Sequence, residues 1–302
     1  MRWVAGTSDG LIGSDGEAWL VGRAVTAVSW YGSGWVVLAD DGDVARIHGA
    51  EVERIGSVPE EIGRAVMAVD RGALVGTSNA RLAAVHGDGS AMIGSFDEAD
   101  GRDTWYTPWG GPPDTRSLSA AVDGRLFANV HVGGILRAAT PDGVWEPTID
   151  IDADVHQVLA DPVDPDHVVA ATARGLAESR DGGTTWAFAI DGLHAPYARA
   201  VALDGGRLYL SASTGPRGGR AALYRREPRS DRFEKCDGSL PEWFGGNIDS
   251  HRLAAGGGTV LFATEDGSVL LSDDAGASWR EVLGGRGRIS CVAVAASEGG
   301  GP

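Results

Sequence analysis

The sequence predicts an all-β fold, a seven-bladed β-propeller closed by strands from both termini. Three features predict it: an apolar unit that recurs about every 40 residues, glycine-rich turns between short strands, and an incomplete unit at each end. Glycine supplies 46 of the 302 residues, and 43% of the residues are hydrophobic. Such a composition is typical of many short strands and tight turns around a core, and it excludes collagen and disordered low-complexity chain.

Each unit repeats the same order of short strands and turns. In one copy, the first strand holds Val158–Ala160, the second Val168–Thr172 and the third Gly175–Ser179. The last strand of several units carries a tryptophan, at Trp19, Trp145, Trp186 and Trp279. Short strands at regular spacing without helical periodicity indicate four-stranded blades.

Counting the units gives seven blades in a single domain that spans residues 1–302. Residues 1–22 hold outer strands without an inner strand, and Ile289–Val294 is an inner strand without the rest. Joined, they make one blade and remove the last open sheet edge. The predicted blades are approximately 289–294 with 1–22, 23–56, 64–96, 116–150, 155–193, 197–241 and 248–287.

Two turns share a sharper pattern. Ser179–Trp186 and Ser272–Trp279 both read S-x-D-x-G-x-[ST]-W, in which the aspartate accepts hydrogen bonds within its own turn. On this pattern the chain resembles the Asp-box (BNR-repeat) propellers, which include sialidases, sortilin-type receptor domains, xyloglucanase-like proteins and a photosystem II assembly factor. The resemblance implies the fold and little about function. Sialidase activity is not expected, because that family is six-bladed and carries an F/Y-R-I-P segment that this chain lacks.

Charge and composition exclude several classes of partner. The chain has 26 Lys and Arg against 42 Asp and Glu, a net charge of −16, and Lys235 is its one lysine. This balance argues against binding to nucleic acid or to an anionic membrane. The sequence shows no signal peptide or membrane span, and its two cysteines lie in different units, which predicts free thiols and a cytoplasmic protein. The preference for arginine over lysine fits a GC-rich bacterial genome.

A cationic or histidine side chain precedes the first strand of every blade. These residues are Arg23, Arg64, Arg116, His156, Arg199, His251 and Arg288. If they surround the channel mouth on one face, here called the top, the guanidinium groups would bind a carboxylate or phosphate. Alternatively, each arginine pairs with an acid on the adjacent blade and stabilises the packing between blades.

Four histidines map to the same face: His131, His156, His194 and His251. Lying near Asp152, Asp154 and Asp249, they predict either a divalent metal site or a polar pocket without metal. If the protein is an enzyme, His156 and His251 are the candidate acid–base residues, and hydrolysis or elimination is the expected chemistry.

Two long links, 97–115 and 236–250, frame this face with aromatic residues. Trp105, Tyr106, Trp109 and Trp243 would form a lid over a flat or sugar-like ligand, or else would pack over the channel mouth. A glycine-rich basic loop, Ser213–Arg220, would lie nearby and could hold an anion.

These observations predict a cytoplasmic propeller that binds a small anionic molecule at the top of its channel. The first alternative is a non-catalytic scaffold that presents the same face to a protein partner. The second is a carbohydrate-binding propeller that uses the tryptophan-rich loops.

Overall fold

A computed structural model describes residues 3–70 and 72–295 and confirms the seven-bladed propeller. Its strands form seven four-stranded antiparallel sheets, numbered here as blades 1 to 7. The inner strands of consecutive blades contact one another around a ring, and the ring closes between blades 7 and 1. The strand that opens each unit in the sequence is therefore the one that lines the centre.

The strands of each blade are given from the inner edge outward. Blade 1 contains β28 (Ile289–Val294), β1 (Trp3–Thr7), β2 (Gly10–Gly13) and β3 (Ala18–Trp19). Blade 2 contains β4 (Val25–Trp30), β5 (Trp35–Ala39), β6 (Asp43–His48) and β7 (Glu51–Ser57). Blade 3 contains β8 (Gly63–Val69), β9 (Gly72–Thr77), β10 (Leu82–His86) and β11 (Gly89–Met92). Blade 4 contains β12 (Thr115–Ala120), β13 (Leu126–Val130), β14 (Gly134–Ala138) and β15 (Glu146–Pro147).

The remaining three blades follow the same order. Blade 5 contains β16 (Val155–Ala160), β17 (Val168–Thr172), β18 (Gly175–Ser179) and β19 (Ala187–Ala189). Blade 6 contains β20 (Tyr197–Asp204), β21 (Arg207–Ser213), β22 (Ala222–Arg226) and β23 (Glu234–Lys235). Blade 7 contains β24 (Leu253–Gly256), β25 (Thr259–Ala263), β26 (Val269–Ser272) and β27 (Arg280–Leu283).

Helical structure is confined to short turns. One α-helical turn covers Gly94–Asp97, and 3-10 turns cover Ser78–Ala80, Arg102–Thr104 and Ile151–Ala153. Within the described residues, no helix has the length and apolar character needed to cross a membrane.

Burial explains why the second strand of each unit reads as a continuous apolar run. All five residues of β5, β13 and β17 are buried, because blades pack against both faces of these strands. One core cluster joins Phe127 and Ile135 of blade 4 to Val158 and Val168 of blade 5. The hydrophobic core thus lies between consecutive sheets.

Blade 1 is assembled from the two distant parts of the chain. Strand β28 pairs antiparallel with β1, with Trp3 opposite Val294 and Val4 opposite Ala293. The predicted closure by strands from both termini is therefore confirmed. The two cysteines are free and buried, Cys236 in blade 6 and Cys291 in β28.

The two turns of the shared pattern have the same hydrogen bonds. In blade 5, the Ser179 hydroxyl accepts from the Gly183 amide at 2.8 Å, and an Asp181 oxygen accepts from the Thr185 amide at 2.8 Å. In blade 7, Ser272 and Asp274 do the same at 2.7 and 2.8 Å. Hydrogen bonds from the hydroxyl and amide of Thr185 lower the pKa of Asp181 to about 2. The Ser278 hydroxyl likewise lowers the pKa of Asp274.

Because the pKa values of Asp181 and Asp274 are lowered in the folded protein, we expect the fold to lose stability in acid. A lowered folded-state pKa stabilises the fold above the unfolded value of about 3.9, and the stabilisation disappears as the pH falls toward 2. The double variant Asp181→Asn, Asp274→Asn should melt at a lower temperature than the wild type at pH 6, and the difference should shrink at pH 3. Melting curves across this range check the prediction, and a difference that stays constant with pH would contradict it.

Candidate functional site

A bulge near the start of the inner strand determines which side chain each blade directs toward the centre. In five blades, one residue of the inner strand has no partner on the second strand. These residues are Thr26, Arg64, Arg116, His156 and Ser290. In blade 6, Arg199 lies where the pairing of the inner strand is irregular in the same way. In blade 7 the regular pairing of the inner strand reaches Arg252, whose carbonyl accepts from the Ala263 amide of the second strand at 2.8 Å. His251 comes directly before Arg252 and therefore occupies the bulge position. A bulge turns its side chain out of the regular alternation.

This register corrects the predicted sevenfold collar. Arg23 and Arg288 do not occupy the repeated position, because Thr26 and Ser290 do. The collar therefore holds Arg or His in five blades and a hydroxyl side chain in two. Arg23 lies three residues before Thr26 and Arg288 lies two before Ser290, so both belong to the links that precede their strands.

The predicted alternative, pairing with an acid toward the adjacent blade, holds for two of the arginines, and a third pairs with acids of its own blade. Arg64 lies 3.3 Å from Asp114 in the link to blade 4, and Arg199 lies 2.6 Å from Asp249 in the link to blade 7. Arg23 pairs at 2.6 Å with both Asp40 and Asp43. Both aspartates belong to its own blade, whereas the prediction placed the acid on the adjacent blade. These three guanidinium groups stabilise the ring and its loops.

Arg116 and Arg288 differ from the other arginines of the set. Neither side chain has an ion pair within residues 3–70 and 72–295. Arg288 is exposed and Arg116 is half-buried at the centre of the ring. Burial, followed by the charge of Arg199, lowers the pKa of Arg116.

A short segment of the chain, residues 249–252, closes the channel at the top. The Ser250 Oγ lies 2.9 Å from the His156 carbonyl oxygen and 3.0 Å from that of Arg199, and its one proton is shared between them. The His251 ring donates from Nε2 to the Arg116 carbonyl at 2.6 Å, and its own carbonyl accepts from Val292 at 2.8 Å. Contacts with blades 1, 4, 5 and 6 require this segment to cross the central axis.

The closure changes the interpretation of His251. It has a left-handed backbone, with φ of 67°, and burial lowers the pKa of its ring. Because Nε2 is bound to a backbone carbonyl, the structure gives this histidine a role in holding the segment rather than the predicted catalytic position. Nothing in the sequence predicted the closure, because no local pattern marks a chain that crosses a ring.

Three side chains from blades 4 and 5 form a compact group above the inner strands. His131 Nε2 lies 3.4 Å from Asp154 Oδ1, and His156 Nε2 lies 3.6 Å from Asp154 Oδ2. One ligand atom from each residue lies within 4.8 Å of the other two. The structure therefore brings His131 and His156 together with Asp154, one of the three aspartates expected nearby, but His194 and His251 do not belong to the group.

The ring of His156 is fixed by the neighbouring blade. Its Nδ1 lies 2.7 Å from the Ala198 carbonyl, which only accepts, so Nδ1 carries the proton. Burial, followed by the charge of Arg199, lowers the pKa of His156 to about 3, and the ring is therefore neutral. Its Nε2 lone pair faces the Tyr197 hydroxyl at 3.2 Å.

A hydrogen-bonded series connects the histidine group to the arginines. The Arg199 guanidinium donates to the Tyr197 hydroxyl at 3.2 Å and to Asp249 at 2.8 Å. Tyr197 was not among the residues singled out from the sequence. A tyrosine two residues before a predicted collar position was the available signal.

The predicted aromatic lid divides into packed and exposed residues. Trp105 packs against Phe96 of the core and lies under Arg102. Trp243 is enclosed by His194, Arg220 and Lys235. The centroids of the Trp243 and His194 rings lie 4.6 Å apart. His194 also lies 2.7 Å from the Tyr224 hydroxyl, so this cluster is a separate packing unit.

The other two aromatic residues remain open to solvent. Trp109 is 70% exposed and Tyr106 53% exposed. The Trp109 ring lies 5.1 Å from that of His131, at the side of the histidine group. Trp109 is therefore accessible to a ligand that binds beside the histidine group.

A cleft of about 460 Å³ lies off the axis, over blades 6, 7 and 1. Its cationic wall consists of Arg199, Arg217, Arg252 and Arg288, and its carboxylates are Asp249 and Glu265. The glycine-rich loop at 213–220 forms one side, where Asn247 donates to the carbonyls of Gly215 and Pro216 at 3.2 Å. The loop lies where the sequence predicted it, but Arg252 was missed.

Arg252 is the most enclosed cation of this cleft. Its side chain is 5% exposed, and its nearest carboxylate oxygen, on Asp249, lies 4.0 Å away. That carboxylate already accepts from Arg199 at 2.8 Å. Burial lowers the pKa of Arg252, because its charge is only partly balanced.

Solved structures with the same architecture include proteins of unlike function. A GH74 xyloglucanase from Xanthomonas campestris has a TM-score of 0.63 at 15% identity, over 93% of this chain and 46% of that one. The chain thus spans less than half of the xyloglucanase. A putative 6-phosphogluconolactonase from Bacteroides uniformis has a TM-score of 0.61 at 16% identity, over 96% and 98%.

A third structure, YCF48 bound to a D1 peptide, has a TM-score of 0.58 at 15% identity, over 93% and 84%. The fold is a propeller. Identities this low show the fold alone. No protein-family model matches the chain, and no curated protein matches its sequence. The function of this propeller must therefore be argued from its own side chains.

Proposed function

We propose that this protein binds a small anion, a carboxylate or phosphate compound, in the cleft over blades 6, 7 and 1. The observation that carries the proposal is the guanidinium of Arg252, which is buried beside a carboxylate that Arg199 already occupies. A buried charge without a matched partner is costly, and an anion in the cleft would supply one.

The composition of the cleft supports the same ligand class. Four arginines face two carboxylates, which leaves an excess of positive charge in a protein of net charge −16. Planar guanidinium groups bind carboxylate and phosphate oxygens in pairs. An acidic surface elsewhere would repel polyanions while this local field attracts a small anion.

Calorimetric titration with inorganic phosphate and with glucose 6-phosphate tests the proposal. We expect the wild type to bind at least one of them, and Arg252→Gln to weaken that binding at least tenfold through loss of a buried charge-assisted contact. Arg217→Ala, on an exposed loop residue, should weaken it several-fold without affecting folding. Arg232→Ala is the matched control, because Arg232 forms an exposed ion pair with Asp191, away from the cleft.

Two results would count against the anion cleft. One is a wild type that binds neither phosphate nor glucose 6-phosphate. The other is binding that Arg217→Ala and a folded Arg252→Gln leave unchanged.

A protein partner at the same face is the second candidate. The exposed rings of Trp109 and Tyr106 support it, since exposed aromatic residues are enriched at interfaces. YCF48, with a similar fold, is bound to a peptide. A pull-down in which Trp109→Ala loses a specific partner, while phosphate binding persists, would favour this candidate.

We also infer membership of the Asp-box propellers. The two S-x-D-x-G-x-[ST]-W turns with their shared hydrogen bonds support it, as does the similarity to GH74 xyloglucanases. A cytoplasmic location is part of the proposal and is supported by the two free, buried thiols.

A further inference from the structure

We propose that His131, Asp154 and His156 bind a divalent transition metal of the zinc class at the top of blades 4 and 5. Two imidazoles and one carboxylate are a donor set that zinc uses with a position left for water or a ligand. The site is distinct from the anion cleft and does not depend on it.

The spacing of the donor atoms fits such an ion. Bonds of about 2.0–2.1 Å in a tetrahedral site place neighbouring ligand atoms about 3.3 Å apart. His131 Nε2 lies 3.4 Å from Oδ1 of Asp154, and His156 Nε2 lies 3.6 Å from Oδ2. One ligand atom from each residue lies within 4.8 Å of the other two, so the side chains would have to draw together to close the site around a metal.

The histidine at the base of the site is already oriented for coordination. The Ala198 carbonyl holds Nδ1–H of His156 at 2.7 Å, the outer contact that metal-binding histidines commonly make. Nε2 therefore keeps a lone pair, which faces the Tyr197 hydroxyl at 3.2 Å, so a metal would take the place of that hydroxyl. Because His156 is fully buried, its ring has little freedom to turn away.

The carboxylate is also held in place and is incompletely satisfied. Asp154 has a left-handed backbone, with φ of 50°, and ends the 3-10 turn at Ile151–Ala153. Its Oδ1 atom is buried and receives no hydrogen bond within the described part of the chain. A buried carboxylate oxygen without a donor is costly, and a cation would satisfy it.

Two nearby arginines, Arg116 and Arg199, affect the net charge around the metal site. Arg199 is neutralised by Asp249 at 2.6 Å, whereas Arg116 has no ion pair in the described residues. A metal with one carboxylate ligand beside Arg116 would carry excess positive charge. The open position would therefore favour an anionic oxygen over neutral water.

Cobalt substitution tests the metal site in the intact protein. After removal of metal with a chelator and dialysis against Co²⁺, the wild type should retain one equivalent and show visible ligand-field absorption that Zn²⁺ abolishes. Asp154→Asn and His131→Gln should each weaken Co²⁺ binding at least tenfold, since each removes one of three ligands. Asparagine tolerates the backbone angle of Asp154, so this variant should fold.

His48→Ala is the matched control, because His48 is an exposed histidine at the end of β6. It should retain Co²⁺ like the wild type. The proposal is wrong if the wild type retains no Co²⁺, or if His131→Gln binds it as tightly as His48→Ala does. Phosphate titration of the metal-free protein separates this outcome from failure of the anion cleft.

Discussion

Replacing Glu178 with alanine will lower the free energy of unfolding by about 3 kcal/mol, because it removes the shared acceptor of two buried cations. Glu178 accepts from His167 Nε2 at 3.0 Å and from Arg226 of blade 6 at 2.7 Å. The side chains of His167 and Arg226 are 4% and 7% exposed. Without Glu178, Arg226 would keep its positive charge in the interface between blades 5 and 6, and His167 would keep only the Asp161 carboxylate, 2.8 Å from Nδ1.

The pH dependence of stability identifies the cause. Burial opposes the charged ring, but hydrogen bonds to Asp161 and Glu178 raise the pKa of His167. This stabilisation is complete below the unfolded value of about 6.5 and is lost as the pH rises through the folded value. Burial also opposes the charge of Glu178, yet His167 and Arg226 lower its pKa to about 2, so its stabilisation is lost as the pH falls from about 4.3.

The network of His167, Glu178 and Arg226 should therefore contribute most to the free energy of unfolding between about pH 4.3 and 6.5. Urea unfolding of the wild type and Glu178→Ala across pH 3–9 measures it, and the difference should narrow at both ends. Glu146→Ala is the control, because Glu146 is 63% exposed and lies 3.4 Å from Arg137. A difference of less than about 0.5 kcal/mol at pH 6 would show that the network contributes no more than a surface pair.

Replacing Trp145 with alanine will cost about 3–5 kcal/mol, the range for removing a buried tryptophan. Its ring is 1% exposed and packs edge-on against Phe96 of the link between blades 3 and 4, with centroids 5.1 Å apart. The indole nitrogen also donates to the Pro141 carbonyl at 3.0 Å. The variant loses both the packing and this hydrogen bond, and leaves a cavity between two blades.

Trp109→Ala is the control for that measurement. The same atoms are removed from a ring that is 70% exposed, so the free energy of unfolding should change by no more than about 0.5 kcal/mol. Equal losses in the two variants would contradict the view that the recurring tryptophans stabilise contacts between blades.

The repeat could be predicted from the sequence because every blade packs between two others and so needs the same pattern of residues. Its second strand must be apolar throughout, as in Val168–Thr172, and its turns need glycine or aspartate. The recurring tryptophans, expected in the last strand, lie in it at Trp19 and directly before it in the other three units. They follow the same rule, since Trp145 fills the space between sheets. These demands are local, and they leave a signal in each unit.

The functional face could be predicted only in part, because its geometry depends on contacts between distant residues. His131 and His156 were placed together correctly on one face, since strand direction alone decides that. Arg23 was misplaced because the exact start of the inner strand, and so the position of its bulge at Thr26, depends on pairing with the second strand. The bond between His251 and Arg116 joins residues at opposite sides of the ring. Arg252 was missed because an arginine beside a collar position has no pattern of its own.

The closure of blade 1 has a consequence for synthesis on the ribosome. Every other blade is complete once its own contiguous stretch of chain has emerged. Strand β1 must wait for β28, so its free edge persists until Val294 is available. During that interval the nascent ring offers an unpaired strand that can join another chain or a chaperone. Ring closure therefore follows the synthesis of all the other blades, and it is the step that removes this free edge.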